Sequence, residues 1–224
     1  MFRLLRTSAC FSGEANKGQK FLFLFGAPGV GKGTYAKMLR KDLQFNHLST
    51  GDEIRKILKG TVSSDFDANL IEKIRSIVKS GGLVSDEIVV QIIKEKVKEP
   101  ESAKGVILDG FPRTQGQLDH YLKAFPAIHG VLNLTLRDDI LLEKLMGRRT
   151  CVNCGTGFNI CDIQRYIFFY FRDGYSMDPL LPKKDGVCDN CGHNLVIRED
   201  DTEKVISARM KEYEAKTKPL LNKF

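Results

Sequence analysis

No stretch of this 224-residue sequence approaches the ~20 consecutive apolar residues that a helix needs to cross a bilayer. The sequence also has no internal repeat and no low-complexity tract, which excludes solenoid architectures. Its six cysteines are too sparse for a secreted disulfide scaffold, a class that is shorter and richer in cysteine. A chain of this length buries a sizeable apolar core without disulfides, so we expect one large domain or a core with insertions.

Acidic residues are in deficit. The chain has 28 aspartates and glutamates against 35 lysines and arginines, which gives a formal net charge of +7. Such an excess suits an anionic partner, and nucleotides, nucleic acid and an acidic membrane surface all qualify. The charge alone does not choose among them.

The first residues are especially poor in acid. Residues 1–13 contain Arg3 and Arg6, and no acidic residue precedes Glu14. This composition is typical of a mitochondrial transit peptide, and the alternative is a disordered basic tail. We therefore expect residues 1–19 to form an N-terminal extension outside the fold, and the compartment to be mitochondrial, with the cytoplasm as the alternative.

Apolar runs predict three buried strands, at residues 20–25, 105–109 and 130–136. Amphipathic patterns predict helices at residues 32–42, 67–80, 85–99, 114–125, 138–149 and 201–216. Strands that alternate with helices indicate an α/β fold with a parallel sheet covered on both faces. Right-handed crossovers then bring the strand ends, and with them a ligand site, to one edge of the sheet.

A glycine-rich loop follows the first predicted strand, with the sequence Gly26-Ala27-Pro28-Gly29-Val30-Gly31-Lys32-Gly33-Thr34. Glycines let successive backbone N–H groups face phosphate oxygens, the helix N-terminus adds partial positive charge, and Lys32 reaches the outer phosphates. The pattern predicts a P-loop for the nucleotide donor, formed by Gly29, Val30, Gly31, Lys32, Gly33 and Thr34. Gly33 stands where a typical P-loop has a magnesium-binding serine or threonine.

Two further motifs accompany this loop. They read Ser49-Thr50-Gly51-Asp52-Glu53-Ile54-Arg55 and Leu108-Asp109-Gly110-Phe111-Pro112-Arg113-Thr114-Gln115-Gly116-Gln117. With the GxPGxGKGT form of the loop, they make residues 21–224 resemble an adenylate kinase of the long, zinc-bearing type. The resemblance implies reversible, magnesium-dependent phosphoryl transfer from ATP to AMP, on a P-loop NTPase-like parallel sheet flanked by helices.

The resemblance also implies which residues form the acceptor site. AMP would be bound by Thr50, Arg55, Leu83, Val84, Gly110, Arg113, Gln117, Arg198 and Arg209. Arg55 and Arg113 would hold its phosphate, and Gln117 would contact the edge of adenine. An aspartate that closes a strand beside a P-loop suits a metal role, so Asp109 would orient magnesium-bound water, with Asp52 as a second candidate.

By the same resemblance, five basic residues would form the catalytic set: Lys32, Arg113, Arg148, Arg198 and Arg209. Transfer would be direct and in line, so these charges would position and stabilise the phosphoryl group. Lys144 and Arg148 would also bind ATP. Lys144 replaces an arginine that is common in the family, and lysine lacks the planar stacking surface of arginine, which leaves GTP as an alternative donor.

The resemblance divides the chain into a core of residues 20–49, 83–148 and 199–224, an AMP-binding insertion at residues 50–82 and a lid at residues 149–198. Both inserted segments would close over the substrates to exclude water. In the family the last helix is followed by a further strand and helix, which this sequence does not contain. We expect a truncated chain, with a four-stranded version as the alternative.

Four cysteines form two C-x2-C pairs, Cys151 with Cys154 and Cys188 with Cys191. In a chain that otherwise resembles a cytosolic or organellar enzyme, such pairs indicate metal ligands, and four thiolates complete a tetrahedral zinc site. A closed site has no open position for substrate, so we expect a structural zinc. A vestigial site and two redox-active pairs are the alternatives.

The lid also contains an aromatic and basic run at residues 165–172. Such a run can bind single-stranded nucleic acid by stacking, but we favour a hairpin strand packed within an enlarged lid or against another chain. The expected partners are therefore ATP or GTP, AMP and ADP, with no nucleic acid and no membrane, and the chain is expected to be a monomer. The alternative functions are a GTP:AMP phosphotransferase and, from another class, a nucleotide-gated nucleic-acid-binding protein with a zinc ribbon.

Overall fold

A central sheet organises the protein. A computed structural model describes residues 2–5, 18–60, 67–102, 104–125, 128–161 and 181–224. The sheet consists of strands β1 (Phe2–Leu5), β2 (Lys20–Gly26), β3 (Asn46–Ser49), β4 (Gly105–Asp109) and β5 (Gly130–Leu134). Their spatial order is β1-β5-β2-β4-β3.

Four of these strands are parallel. β2 lies between β4 and β5, so that Phe23 is opposite Leu108 on one side and Val131 on the other. β3 pairs in parallel with β4. All five residues of β4 are buried, as expected of a strand covered on both faces.

Helices connect and cover these strands. They are α1 (Lys32–Leu43), α2 (Thr50–Leu58), α3 (Ala68–Ser80), α4 (Asp86–Val97), α5 (Gln115–Ala124), α6 (Asp138–Met146) and α7 (Glu203–Glu212). Two 3-10 turns lie at Pro100–Ser102 and Lys218–Lys223, and a π-helical turn at Tyr213–Thr217 follows α7. Within the described ranges, no helix is both long and apolar enough to span a membrane.

Side-chain caps fix where several helices begin. The side chains of Ser49, Asp67, Thr114 and Thr202 each accept a hydrogen bond from a backbone N–H in the first turn of the following helix. Such caps stabilise a helix by about 1 kcal/mol each, since they satisfy a donor that has no intrahelical partner. α3 ends at Gly81, whose φ of 80° is a conformation that glycine adopts without steric cost.

A second, smaller sheet forms the described part of the lid. Its strands are β6 (Arg148–Cys151), β7 (Gly157–Asn159) and β8 (Leu195–Val196), in the antiparallel order β7-β6-β8. The side chain of Asn159 joins this lid sheet to the core, because its Nδ2 donates to the carbonyl oxygen of Lys144 at 2.8 Å. The aromatic run at residues 165–172 lies outside the described residues.

Most predicted elements agree with the structure, and their ends account for the differences. The third predicted strand ends at Leu134, and the helix predicted to reach residue 149 ends at Met146, because the chain enters β6 at Arg148. The last predicted helix begins at Glu203 and continues into the π-helical turn. The sequence analysis predicted neither β3 nor α2. β3 has only four residues and no clear alternation of apolar and polar side chains.

The sequence analysis placed residues 1–19 outside the fold, and the structure corrects this expectation at two places. β1 pairs antiparallel with β5, with Phe2 opposite Leu134. It thereby satisfies backbone groups at an edge of β5 that the parallel strands leave unpaired. Gln19 is also buried, and its Nε2 donates to the carbonyl oxygens of Val97 at 3.1 Å and Ser102 at 2.6 Å.

Candidate active site

The phosphate loop, residues 26–34, connects β2 to the N-terminus of α1. Gly29 has φ 83° and would place a Cβ atom 2.6 Å from Cγ of Leu145, so no larger residue fits there without movement. The Nζ of Lys32 donates to the carbonyl oxygens of Gly26 at 2.7 Å and Ala27 at 3.0 Å. The loop's own backbone therefore holds the ammonium group in place before any phosphate arrives.

Lys32 lies in a strongly electropositive environment. Burial lowers the pKa of its ammonium group to about 8, with the charges of Arg113 and Arg148 acting in the same direction and that of Asp109 opposing them. A phosphate beside Lys32 would favour the charged form and reverse part of this shift. The site therefore suits an anionic ligand.

Asp109 ends β4 next to the phosphate loop. Its Oδ2 lies 3.3 Å from Nε2 of His47 in β3. A Cβ atom built on Gly33 would lie 3.9 Å from that same Oδ2, an ordinary van der Waals contact, so the carboxylate lies close to the backbone of the phosphate loop. A buried carboxylate that lines the cavity beside this loop fits a magnesium ion that keeps most of its water ligands.

The first acceptor motif lies at the junction of β3 and α2. Thr50 Oγ1 donates to the carbonyl oxygen of Gly110 at 3.1 Å, which ties the two acceptor motifs together. The guanidinium of Arg55 contacts Asp52 Oδ1 at 2.5 Å and Asp200 Oδ2 at 3.8 Å. Asp52, the second candidate for magnesium, is therefore paired with Arg55 here.

Arg113 projects from the second acceptor motif. Its Nε donates to the carbonyl oxygen of Gly110 at 2.8 Å, and its backbone N–H donates to Gln117 Oε1 at 2.8 Å. Burial, together with the charge of Arg209, lowers the pKa of Arg113 to about 10. Arg113 therefore stays charged at neutral pH, in surroundings that favour a partner anion.

Two neighbouring aspartates pair with Arg148 and Arg209. Asp201 accepts from Nε of Arg148 at 2.7 Å and also pairs with its Nη2, and Asp200 pairs with Arg209 at 2.5 Å. Burial opposes the charge on Asp200, but Arg209 and Arg55 outweigh it and lower the pKa of its carboxyl group. Such pairing compensates buried charge and fixes the guanidinium groups in place.

Arg198 lies at the end of the lid segment, and its Nε donates to Thr150 Oγ1 at 2.9 Å. Burial and the charges of Arg55 and Arg148 lower its pKa to about 10. Arg198 is thus close enough to Arg55 and Arg148 for their charges to repel one another. A multiply charged phosphate would relieve that repulsion.

The phosphate loop, the two acceptor motifs and the arginines described above line one cavity of about 450 Å³. The predicted site residues on its wall are Gly29, Gly31, Lys32, Gly33, Thr34, Thr50, Arg55, Leu83, Val84, Asp109, Gly110, Arg113, Gln117, Lys144, Arg148, Arg198 and Arg209. Val30 is not among the lining residues, because its side chain packs in an apolar cluster with Ala27, Leu134 and Leu141. The volume lies within the range typical of small-molecule sites.

Several lining residues were missed by the sequence analysis, among them His47, Phe158, Asn159, Tyr213 and Thr217. His47 lies three positions before Thr50, but its strand was not recognised. Asp200 and Asp201, which pair with the arginines, lie two and three positions after Arg198, and the sequence analysis assigned no role to them.

Lys144 contacts the phosphate loop. Its Nζ donates to the carbonyl oxygen of Val30 at 3.3 Å, and burial lowers its pKa, while Cys161 acts in the opposite direction. The amine therefore lies against the backbone of the phosphate loop, and unlike a guanidinium it presents no planar stacking surface.

The four cysteines of the lid come together around a common centre. Their Sγ atoms all lie within 4.8 Å of one another, with Cys151 to Cys191 at 3.4 Å and Cys154 to Cys188 at 3.6 Å. Zn–S bonds of about 2.3 Å in a tetrahedron place sulfur atoms about 3.8 Å apart. The cluster therefore could hold a zinc ion with little rearrangement.

The comparisons with known proteins agree with this geometry. A family model described as adenylate kinase matches residues 24–224. A curated "Adenylate kinase" of Caldicellulosiruptor bescii is 38% identical over 205 residues, which cover 90% of this chain and 85% of the relative. The chain belongs to the adenylate kinase family.

Two other relatives differ in what their names state. "GTP:AMP phosphotransferase" of Plasmodium falciparum is 37% identical over 91% of this chain and 83% of its own length. "Adenylate kinase 1, chloroplastic" of Arabidopsis thaliana is 42% identical over 90% of this chain and 66% of its own length. This adenylate kinase family member is a nucleoside monophosphate kinase, a phosphotransferase, and one of its relatives is named for GTP and AMP.

Proposed function

We propose that the chain transfers a phosphoryl group reversibly from Mg-ATP to AMP, giving two molecules of ADP. The observation that carries this proposal is the convergence of Lys32, Arg113, Arg148, Arg198 and Arg209 on a single cavity, shared by the phosphate loop and both acceptor motifs. Phosphoryl transfer depends mostly on positioning and on stabilising negative charge, which is what such a set of cations does.

The arrangement supports direct, in-line transfer without a covalent enzyme intermediate. The donor phosphates would lie on the phosphate loop and Lys32. The acceptor phosphate would bind Arg55 and Arg113, and Arg113 would also contact the group in transfer. Arg148, Arg198 and Arg209 would spread the charge of the transition state, while closure of the two insertions would exclude water and so prevent hydrolysis.

Gln117 supports AMP as the acceptor. Its Oε1 accepts from the backbone N–H of Arg113, which leaves the Nε2 end of the amide as the donor end. A donor suits N1 of adenine, which is an acceptor, and opposes N1–H of guanine. Leu83 and Val84 on the same cavity wall would contact the purine.

Two metals complete the proposal. Magnesium, when bound with the nucleotide, neutralises phosphate charge, and Asp109 would hold its water ligands. Zinc, when bound by Cys151, Cys154, Cys188 and Cys191, would be structural, because four thiolates leave no open position. The cysteine cluster would then fix the fold of the lid that carries Arg148 and Arg198 at its two ends.

GTP is the alternative donor. Lys144 lies on the donor side without a stacking surface, and the relative from Plasmodium falciparum is named for GTP and AMP. Arg113, Gln117 and the acceptor motifs would act in the same way in both cases. The donor base is therefore a separate question from the acceptor.

A phosphotransfer panel tests the proposal. Purified chain with magnesium would be given ATP or GTP as donor and AMP, GMP, CMP or UMP as acceptor. We expect turnover with AMP, and the better of the two donors identifies the donor base. Absence of transfer to every acceptor under these conditions would overturn the proposal.

Compartment and assembly are further proposals. The arginine-bearing, acid-poor first residues support mitochondrial import, which imaging of a C-terminal fusion and N-terminal sequencing of the organellar protein would test.

All the residues in the proposed site come from one chain, which supports an active monomer. Light scattering during turnover would test this, and a dimer as the only active species would contradict it.

A further inference from the structure

Thr217 is a cavity-lining residue to which neither the motifs nor the proposed mechanism assigns a role. It ends the π-helical turn at Tyr213–Thr217, and only 9% of its surface is exposed. Its Oγ1 donates to the backbone carbonyl oxygen of Arg113 at 2.9 Å, across 104 positions of sequence. The hydroxyl thus reaches the main chain of the residue that is expected to contact both the acceptor phosphate and the transferred group.

This bond completes a set of contacts around Arg113. Gln117 accepts from its backbone N–H, Gly110 accepts from its side-chain Nε, and Thr217 donates to its carbonyl. Both polar groups of the Arg113 backbone are therefore held by side chains. The position of the guanidinium is consequently defined from the acceptor motif on one side and from the C-terminal segment on the other.

The π-helical turn explains how Thr217 reaches this position. Arg209 and Thr217 are eight residues apart, a spacing at which a regular α-helix leaves two side chains about 80° apart around its axis. The wider π turn reduces the rotation per residue, and both side chains line the same cavity. Turns of this kind occur frequently at functional sites.

The segment that carries Thr217 is anchored on the core. Leu220 is buried in the main apolar cluster, and the ring of Phe224 contacts Phe23 and Phe25 at centroid distances of 6.0 and 5.5 Å. Thr217 therefore contacts Arg113 from a fixed support, which is what a positioning interaction requires.

We propose that Thr217 is a positioning residue that holds Arg113 in the geometry needed for phosphoryl transfer. The inference rests on the proposed role of Arg113. A guanidinium displaced by about 1 Å costs up to ~100-fold in rate even when the change lies away from the reacting atoms. Thr217 thus acts on turnover through Arg113, whose backbone carbonyl oxygen accepts its hydroxyl hydrogen bond.

Thr217→Val tests this inference, because valine keeps the shape and removes the hydroxyl. We expect kcat with AMP to fall by about tenfold or more, with the donor KM changed by less than about twofold. Thr217→Ser keeps the hydroxyl and should restore most of the rate. Thr217→Ala repeats the test with a smaller side chain if the valine variant is poorly stable.

Ser102→Ala is the matched control for stability. Ser102 is buried outside the cavity, and its Oγ donates to the carbonyl oxygen of Lys96 at 3.0 Å, the same type of bond that Thr217 makes, and also accepts from Nδ2 of Asn46 at 3.0 Å. We expect a fall in melting temperature for Ser102→Ala at least as large as that for Thr217→Val, but a loss of kcat only in the latter. An equal loss of kcat in both would reduce Thr217 to a structural role and overturn the inference.

A double-mutant cycle connects the effect to Arg113. In an Arg113→Ala background, Thr217→Val should cause little further loss, because the group that it positions is gone. A full additional loss there would show that Thr217 acts independently of Arg113 and would overturn the inference. Full turnover by Thr217→Val in the wild-type background would also overturn it. A wild-type chain that transfers nothing to AMP would instead overturn the proposed function on which it rests.

Discussion

Arg113 is half-buried, charged, and held at its backbone and side chain by hydrogen bonds. We expect Arg113→Ala to lower kcat by about 10²–10³, the loss typical of one preorganised donor. Steady-state kinetics with AMP would measure it. Arg137→Ala is the control, since Arg137 is exposed and pairs only with Asp139 among the contacts described here. Turnover near the wild-type value in Arg113→Ala would remove Arg113 from the catalytic set.

Lys32 provides a second test at the scale of one residue. Its pKa of about 8 in the free protein means that the ammonium loses its proton as the pH rises through 8. Donor phosphates favour the charged form, so donor binding raises the pKa, and binding above pH 8 must take up a proton. Affinity for the triphosphate should therefore fall as the pH rises from 8 to 9.5.

Calorimetry would measure this proton directly. Titrations with Mg-ATP at pH 8.5, in two buffers of different ionisation enthalpy, should show net proton uptake. Lys32→Arg is the matched control, because arginine stays charged at this pH and should show no uptake. Equal binding enthalpies in both buffers for the wild-type chain would contradict the low pKa.

At the scale of the element, the lid sheet has little apolar support among the residues that the structure describes. Its buried apolar cluster consists of Cys151, Phe158 and Cys188, packed against Cys191 and Leu195. Such a small cluster would give three short strands little stability, so the proposed zinc would contribute much of the stability of this part of the lid. The lid should be the part of the described chain most sensitive to chelation.

Cys154→Ser tests this expectation. Removing one thiolate should abolish stoichiometric zinc and lower the melting temperature by roughly 5 °C or more, because structural zinc contributes several kcal/mol. Metal analysis of freshly purified protein and thermal denaturation would measure both effects. Cys161→Ser is the control for metal content, since Cys161 lies outside the four-cysteine cluster. Wild-type protein without zinc would refute the metal site.

At the scale of the whole molecule, the proposed mechanism requires the AMP-binding insertion and the lid to move together over the cavity. Arginines that repel one another surround that cavity, so bound phosphates should draw the two segments inward. We expect two adenosines linked by five phosphates to reduce the radius of gyration by roughly 1 Å from the ~17 Å of a compact chain of this length. Small-angle scattering would measure it.

The control for this compaction is Arg198→Ala, which removes one of the charges contributed by the lid segment. It should weaken the effect without changing the radius of the free protein. An unchanged radius for the wild-type chain at saturating ligand would show that catalysis does not require the proposed closure.

The local sequence was sufficient to predict the features that depend on neighbouring residues. Continuous apolar runs predicted β2 and β4, because a strand buried on both faces needs no polar alternation. Glycine spacing predicted the phosphate loop, because backbone N–H groups approach phosphate closely only where side chains are absent. The family resemblance of the acceptor motifs likewise rests on neighbouring residues.

The tertiary structure decided what depends on residues far apart in sequence. β3 is a strand because the edge of β4 pairs with it, and its four residues have no clear pattern of their own. The pairing of Arg148 with Asp201, the bond from Thr217 to Arg113 and the antiparallel addition of β1 to β5 all join distant segments. Composition specifies which groups can pair, but only the packed sheet and helices determine which of them lie within hydrogen-bonding distance.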